Sequence, residues 1–188
     1  AIPDTECIIF GQRRFTWAQF NDRTRRLGAY MKQHGLGLHQ ERSELEAWQS
    51  GQDHIALYLY NCNEYLEALL GAFKCRAAAI NVNYRYKGEE LVYLLKNSGA
   101  RAIIFHARFA EMLQALRDQL PEIKVWIQVA DDSNAPLMAG AVEYEAALAS
   151  VAPEPGDPKC SDDDLFIIYT GGTTGMPKGV LWRQTDIF

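Results

Sequence analysis

The sequence predicts an α/β domain, a largely parallel sheet with helices on both faces. Two observations point there. From His54 onward, strand-like and helix-like segments alternate along the chain, the order that builds parallel sheets with right-handed crossovers. The strand-like segments are apolar throughout rather than alternating, which fits burial on both faces. No internal repeat or heptad pattern competes with this reading.

The elements follow in order. Ile8–Phe10 and Arg14–Thr16 flank Gly11-Gln12-Arg13 and read as a small hairpin. Thr16-Trp17-Ala18-Gln19 fits a capping box with Thr16 as N-cap. Trp17, Phe20, Thr24, Leu27 and Met31 then mark one buried helical face. Arg23, Arg25 and Arg26 lie largely off it, on an expected solvated surface. The polar stretch 35–52 reads as a surface excursion with a short helix at SELEAW, His39 being an exposed loop residue. HIALYLY (54–60) is a strand. The helix after it shows a stripe of Tyr65, Leu66, Leu69, Leu70 and Phe73. Ala77–Val82 is a strand, ending in the run Asn81-Val82-Asn83-Tyr84-Arg85-Tyr86, where Arg85 reads as a salt-bridge residue. Gly88–Ser98 is a helix stopped by Gly99. Arg101–His106 is a strand, and His106 at its end reads as structural. Phe109, Met112, Leu113, Leu116 and Leu120 line a helix stopped by Pro121, and Ile123–Val129 is a strand. A loop at 131–139 and a short helix at Val142–Leu148 follow. Residues 151–164 form a proline-rich linker whose acids, Asp162-Asp163-Asp164, read as solvated.

Composition narrows the class. The chain has 188 residues with 48% hydrophobic content, enough for one sizeable core. Its net charge of −5, with both signs mixed along the chain, carries no nucleic-acid footprint. No apolar stretch reaches membrane-spanning length and no signal-peptide pattern is present. Cys7, Cys62, Cys75 and Cys160 lack ligand spacing and read as reduced thiols. A cytoplasmic protein is expected. Peripheral membrane contact and homo-oligomerisation stay open.

The most informative stretch is 165–182, a strand, a glycine-rich loop and a second strand. Gly171, Gly172 and Gly175 let backbone N–H groups approach a ligand closely, and successive amides in such a turn form an anion-binding concavity. Thr170, Thr173 and Thr174 add hydroxyls, Lys178 adds a full positive charge, and Pro177 stiffens the approach. The set describes a phosphate cradle. It is not the Walker type, because Gly179 rather than Ser or Thr follows Lys178.

The string Tyr169-Thr170-Gly171-Gly172-Thr173-Thr174-Gly175-Met176-Pro177-Lys178-Gly179-Val180 resembles the phosphate-loop signature of the adenylate-forming superfamily, with Gly172 where Ser or Thr is usual. The double glycine and NVNYRY resemble bacterial fatty-acyl-CoA synthetases most. The resemblance implies that residues 1–188 are one incomplete α/β domain, the N-terminal part of the large domain of such an enzyme. It implies ATP with Mg2+ and a carboxylic, fatty acid substrate. The acid attacks the α-phosphate to give an acyl-adenylate and pyrophosphate, and coenzyme A then takes the acyl group. Thr170, Gly171, Gly172, Thr173, Thr174, Gly175 and Lys178 would hold the nucleotide's phosphates. The adenine-binding segment, the magnesium-binding glutamate and the lysine of the C-terminal lid lie later in family members. This stretch is therefore expected to carry no catalytic residue, no metal ligand and no activity alone. Two other readings stay open: an acyl-AMP ligase that passes its product to a carrier protein, and a non-catalytic nucleotide-binding module.

Overall fold

The computed structural model describes residues 2–154, 159–172 and 175–187. The chain opens with an antiparallel hairpin, β1 (Glu6–Phe10) and β2 (Arg13–Thr16). Gly11 takes φ +59° in its turn, a conformation that disfavours a β-carbon. The expected capping box starts α1 (Trp17–Gln33). Gln19 N donates to Thr16 Oγ1 at 3.3 Å, and Thr16 N donates to Gln19 Oε1 at 2.9 Å. Phe20, Thr24, Leu27 and Met31 are buried. Trp17 is not: as the first helical residue it sits at the hairpin junction and stays 49% exposed.

A seven-stranded sheet follows among the described residues. Its elements are β3 (His54–Tyr58), α2 (Asn63–Lys74), β4 (Ala78–Asn81), α3 (Gly88–Asn97), β5 (Ala100–His106), α4 (Ala110–Leu116), β6 (Val125–Val129), β7 (Val142–Glu143), α5 (Tyr144–Ala149), β8 (Leu165–Gly172), β9 (Gly175–Arg183) and α6 (Gln184–Ile187). The strand order is β7-β6-β5-β3-β4-β8-β9; all neighbours are parallel except β8 and β9. Ile55 and Leu57 pack in one cluster with residues of α1, α2 and α5, whereas Ala56 and Tyr58 pack in another with residues of α3 and α4. That two-sided burial is why HIALY is apolar at every position after its histidine. Val142–Glu143 is a short edge strand rather than the start of a helix. It pairs with β6, and Glu143 accepts from Ala146 N to cap α5.

Helix α2 is rotated from the face that its bulky residues suggest. Its buried residues include Glu64, Glu67, Ala68, Gly71, Ala72 and Phe73, while Leu66 is 42% exposed. The cause is the close approach of α1. A β-carbon on Gly71 would lie 3.0 Å from the Leu27 side chain, and one on Gly28 would lie 3.1 Å from the Gly71 carbonyl oxygen. Small residues therefore occupy the helix contact, and Tyr65, Leu69 and Leu70 pack at its margin. The rotation buries Glu67 completely. Its carboxylate accepts from Arg23 Nε at 2.9 Å, Asn63 Nδ2 at 2.9 Å and Tyr144 Oη at 2.9 Å. Arg23 also forks onto Glu145, so it ties α1, α2 and α5 together instead of facing solvent. Arg26 is also engaged, with Asp22 and the Val151 carbonyl.

The 35–52 excursion carries one 3₁₀ turn, Arg42–Glu44, in place of the expected helix. His39, half-open to solvent, points Nε2 at Asp53 Oδ2, 2.6 Å away. Arg85 makes no ion pair among the described residues; its guanidinium lies 5.7 Å from the Tyr84 ring centre.

Candidate functional site

Strand β8 is parallel to β4, so the chain arrives at the carboxyl edge of the sheet before turning into β9. The sequence suggests a ten-residue loop there. Instead both strands extend into it: Thr170 pairs with Lys178, and Gly172 with Gly175, after a register irregularity. The ladder runs on to Gly172 and Gly175. Thr173 and Thr174 lie outside the described residues. Of the other candidate cradle residues, Thr170 and Lys178 stand opposite each other on one face. Gly171 and Gly175 are exposed.

The ladder does not use all of the backbone. Pairing with β4 ends at Asn81–Ile168, so from Tyr169 onward the β4-side edge of β8 has no strand neighbour among the described residues. β9 is the edge strand among the described residues. Lys178 is exposed and makes no ion pair among the described residues. Free backbone edges beside an uncommitted cation are the ingredients of an anion site.

Tyr169 props this hairpin from below. Its hydroxyl donates to Asn97 Oδ1 on α3 at 2.8 Å, and its ring lies against Gly179, where a β-carbon would meet Cε2 at 2.9 Å. Burial pushes the Tyr169 phenol up to about 12, with Tyr93 adding to the effect. At the other end of β8, Asp164 is buried rather than solvated. It accepts from Arg76 Nε at 3.0 Å and Nη2 at 2.9 Å, and from Ser161 N at 3.0 Å. Gln52 Oε1 accepts from Leu165 N at 2.7 Å, while its amide donates to the Arg76 carbonyl. Arg76 adopts φ 56°, a left-handed conformation that favours glycine; here the side chain is needed to reach Asp164 and Glu41. These supports escape sequence reading because they join residues far apart in the chain. The sole hint is a charge, Asp164, next to an apolar strand.

No group of three His, Cys, Asp or Glu side chains among the described residues is placed to hold a metal ion. Asp163 pairs with Arg183 instead. No helix of the described residues is long and apolar enough to cross a membrane.

A parallel sheet that ends in this Gly/Thr/Lys hairpin defines a class, and residues 1–188 match the family described as AMP-binding enzyme. The chain belongs to that family. It is 54% identical over its whole length to the medium-chain acyl-CoA ligase Mig of Mycobacterium avium, covering 34% of that protein. It is 37% identical to 3-oxocholest-4-en-26-oate–CoA ligase of Rhodococcus rhodochrous, covering 32%. Among solved structures, the N-terminal domain of FACL13 from Mycobacterium tuberculosis superposes with a TM-score of 0.71 at 29% identity, over 92% of this chain and 38% of that one. The chain thus spans about a third of the length of the curated relatives it matches.

Proposed function

We propose that this chain is the phosphate-gripping part of an ATP-dependent acyl-CoA ligase that activates a medium- or long-chain fatty acid. The observation that carries the reading is the Thr170–Lys178 hairpin: an uncommitted cation and glycine amides at the carboxyl edge of a parallel sheet, in a chain 54% identical to a medium-chain acyl-CoA ligase. In the first half-reaction the fatty carboxylate attacks the α-phosphate and pyrophosphate departs. Lys178, the amides of Gly171, Gly172 and Gly175, and the hydroxyls of Thr170, Thr173 and Thr174 would receive the charge that accumulates on the leaving group. Magnesium would enter with the nucleotide as the counter-ion of its phosphates. Coenzyme A is the favoured acceptor over a carrier protein because the relatives are named CoA ligases.

The chain by itself is expected to bind pyrophosphate and to turn over nothing. The test joins residues 1–188 to the remaining two-thirds of the Mycobacterium avium relative and follows AMP release with ATP, octanoate and coenzyme A. AMP release that depends on both acid and coenzyme A supports the reading. A folded chimera that binds no ATP overturns it.

A further inference from the structure

The sheet reverses its winding at β3: the chain passes to β4 on one side, then crosses to β5 on the other. The loops after β3 and β5 therefore leave toward opposite faces, and a crevice opens outside their carboxyl ends, the place where open α/β sheets bind ligands. That crevice is occupied by a cavity of about 410 Å³, two strands away from the phosphate hairpin. Its walls include Tyr60, His106, Arg108, Arg13, Glu64 and Asp131.

His106 is buried, and its tautomer is fixed by its surroundings. Tyr60 N donates to Nδ1 at 3.0 Å, so the imidazole is neutral and its proton sits on Nε2. That Nε2–H has no hydrogen-bond partner among the described residues, and His106 is one of the residues lining the cavity. Tyr60 packs against Phe109, with ring centres 5.6 Å apart, and carries the Arg108 guanidinium 5.1 Å from its own ring centre. Both guanidiniums are already committed, Arg13 to Glu64 and Arg108 to Asp131 and Asp132. Three carboxylates against two guanidiniums leave the site with an excess negative charge. A second, apolar cavity of about 330 Å³ adjoins it, sharing Phe10, Asn61 and Cys62 and walled by Ile8, Ile9 and Leu66.

We infer that this crevice binds a neutral, hydroxylated acyl ester, a monoacylglycerol-like amphiphile free in solution. The ester carbonyl accepts from His106 Nε2, the head hydroxyls donate to the carboxylate rim at Asp132, and the acyl chain lies along Phe10 and Leu66. A free fatty acid is disfavoured by the surplus negative charge, which separates this site from one for the acid to be activated. The inference does not rest on the acyl-ligase reading.

The test titrates the chain with monooctanoylglycerol, using octanoate as the charged control of equal chain length. The His106 ring nitrogens are followed by long-range ¹H–¹⁵N correlation. A saturable shift of the Nε2–H signal is expected, with octanoate at least about fivefold weaker. Phe10→Lys, on the exposed hairpin end, should weaken binding about tenfold while leaving the denaturation midpoint in place. Absence of a saturable shift, equal affinity for octanoate, or an unaffected Phe10→Lys variant would overturn the inference. Phosphate binding at the hairpin is read separately by pyrophosphate titration, so failure at one site is not failure at the other.

Discussion

The ring of Tyr169 fills the space that a side chain on residue 179 would need, with Cε2 2.9 Å from the β-carbon position. Tyr169 and Gly179 also face each other across the β8–β9 ladder. The aromatic residue and the glycine at the two ends of the signature therefore belong to one packing unit. The phenol's bond to Asn97 fixes that unit to α3.

Gly179→Ala should displace the ring and break the Asn97 bond. Overpacking of this kind costs about 1–3 kcal/mol. Two readouts follow: a lowered urea midpoint, and a Tyr169 phenol that drops from about 12 toward the ordinary tyrosine value as its burial is lost. Gly175→Ala is the control, because no atom of the described residues lies within 4 Å of its β-carbon position. Equal effects at both glycines would contradict the packing argument.

Lys178→Ala should leave stability unchanged, since the side chain is exposed and without an ion pair among the described residues. Pyrophosphate affinity should fall. In the chimeric ligase, AMP formation should drop by about 10²–10³, the scale for removing one aimed transition-state donor. Lys178→Arg should recover part of it, by restoring charge without the compact ammonium. Kinetics indifferent to Lys178→Ala would leave the cradle without a role in phosphate handling.

Glu67 is a third target. With Arg23 replaced by Leu, a fully buried carboxylate loses its one guanidinium partner among the described residues. Breaking a buried pair from one side costs about 3–5 kcal/mol. The double variant Arg23→Leu with Glu67→Leu should recover much of that loss, because no orphaned charge remains. Denaturant melts of the two single variants and the double variant give the coupling directly. Additive losses would mean that the pair is not acting as a unit.

Much of this architecture is legible in the residues, and the failures share a cause. The hairpin, the capping box and most of the alternation of strands and helices depend on neighbours in sequence, and they stand as read, apart from the edge strand Val142–Glu143 and the 3₁₀ turn in place of a helix at SELEAW. The α2 face was hidden because its bulky residues do not mark the contact; Gly28 and Gly71 set how near α1 comes, and closeness favours small side chains. Arg23 and Asp164 read as solvated because their partners, Glu67 and Arg76, lie 44 and 88 residues away. The crevice beside His106 needed the strand order, which local pattern does not contain. The cradle's residue types are visible in the string itself, whereas the extension of the ladder up to Gly172 and Gly175 is not.

Acidification should destabilise the fold through its buried histidines. His54 donates from Nδ1 to the Ser98 carbonyl and accepts at Nε2 from the Ser50 hydroxyl at 2.8 Å, so both nitrogens are satisfied in the neutral form. Burial lowers its pKa below the ordinary 6.5, against smaller opposing pulls from the Ser98 carbonyl and the Asp53 charge. His106 shifts the same way, again chiefly through burial. The sign follows from linkage. A histidine whose pKa is depressed on folding binds fewer protons in the native state. Its contribution is complete above about 6.5 and is lost as pH falls through that value toward the native pKa. The urea midpoint should therefore be lower at about pH 5.5 than at about pH 7.5. His54→Gln should flatten that dependence, because a side-chain amide keeps a donor and an acceptor without titrating. A midpoint that rises on acidification, or a slope untouched by His54→Gln, would show that the ring is not held neutral by its two serine partners.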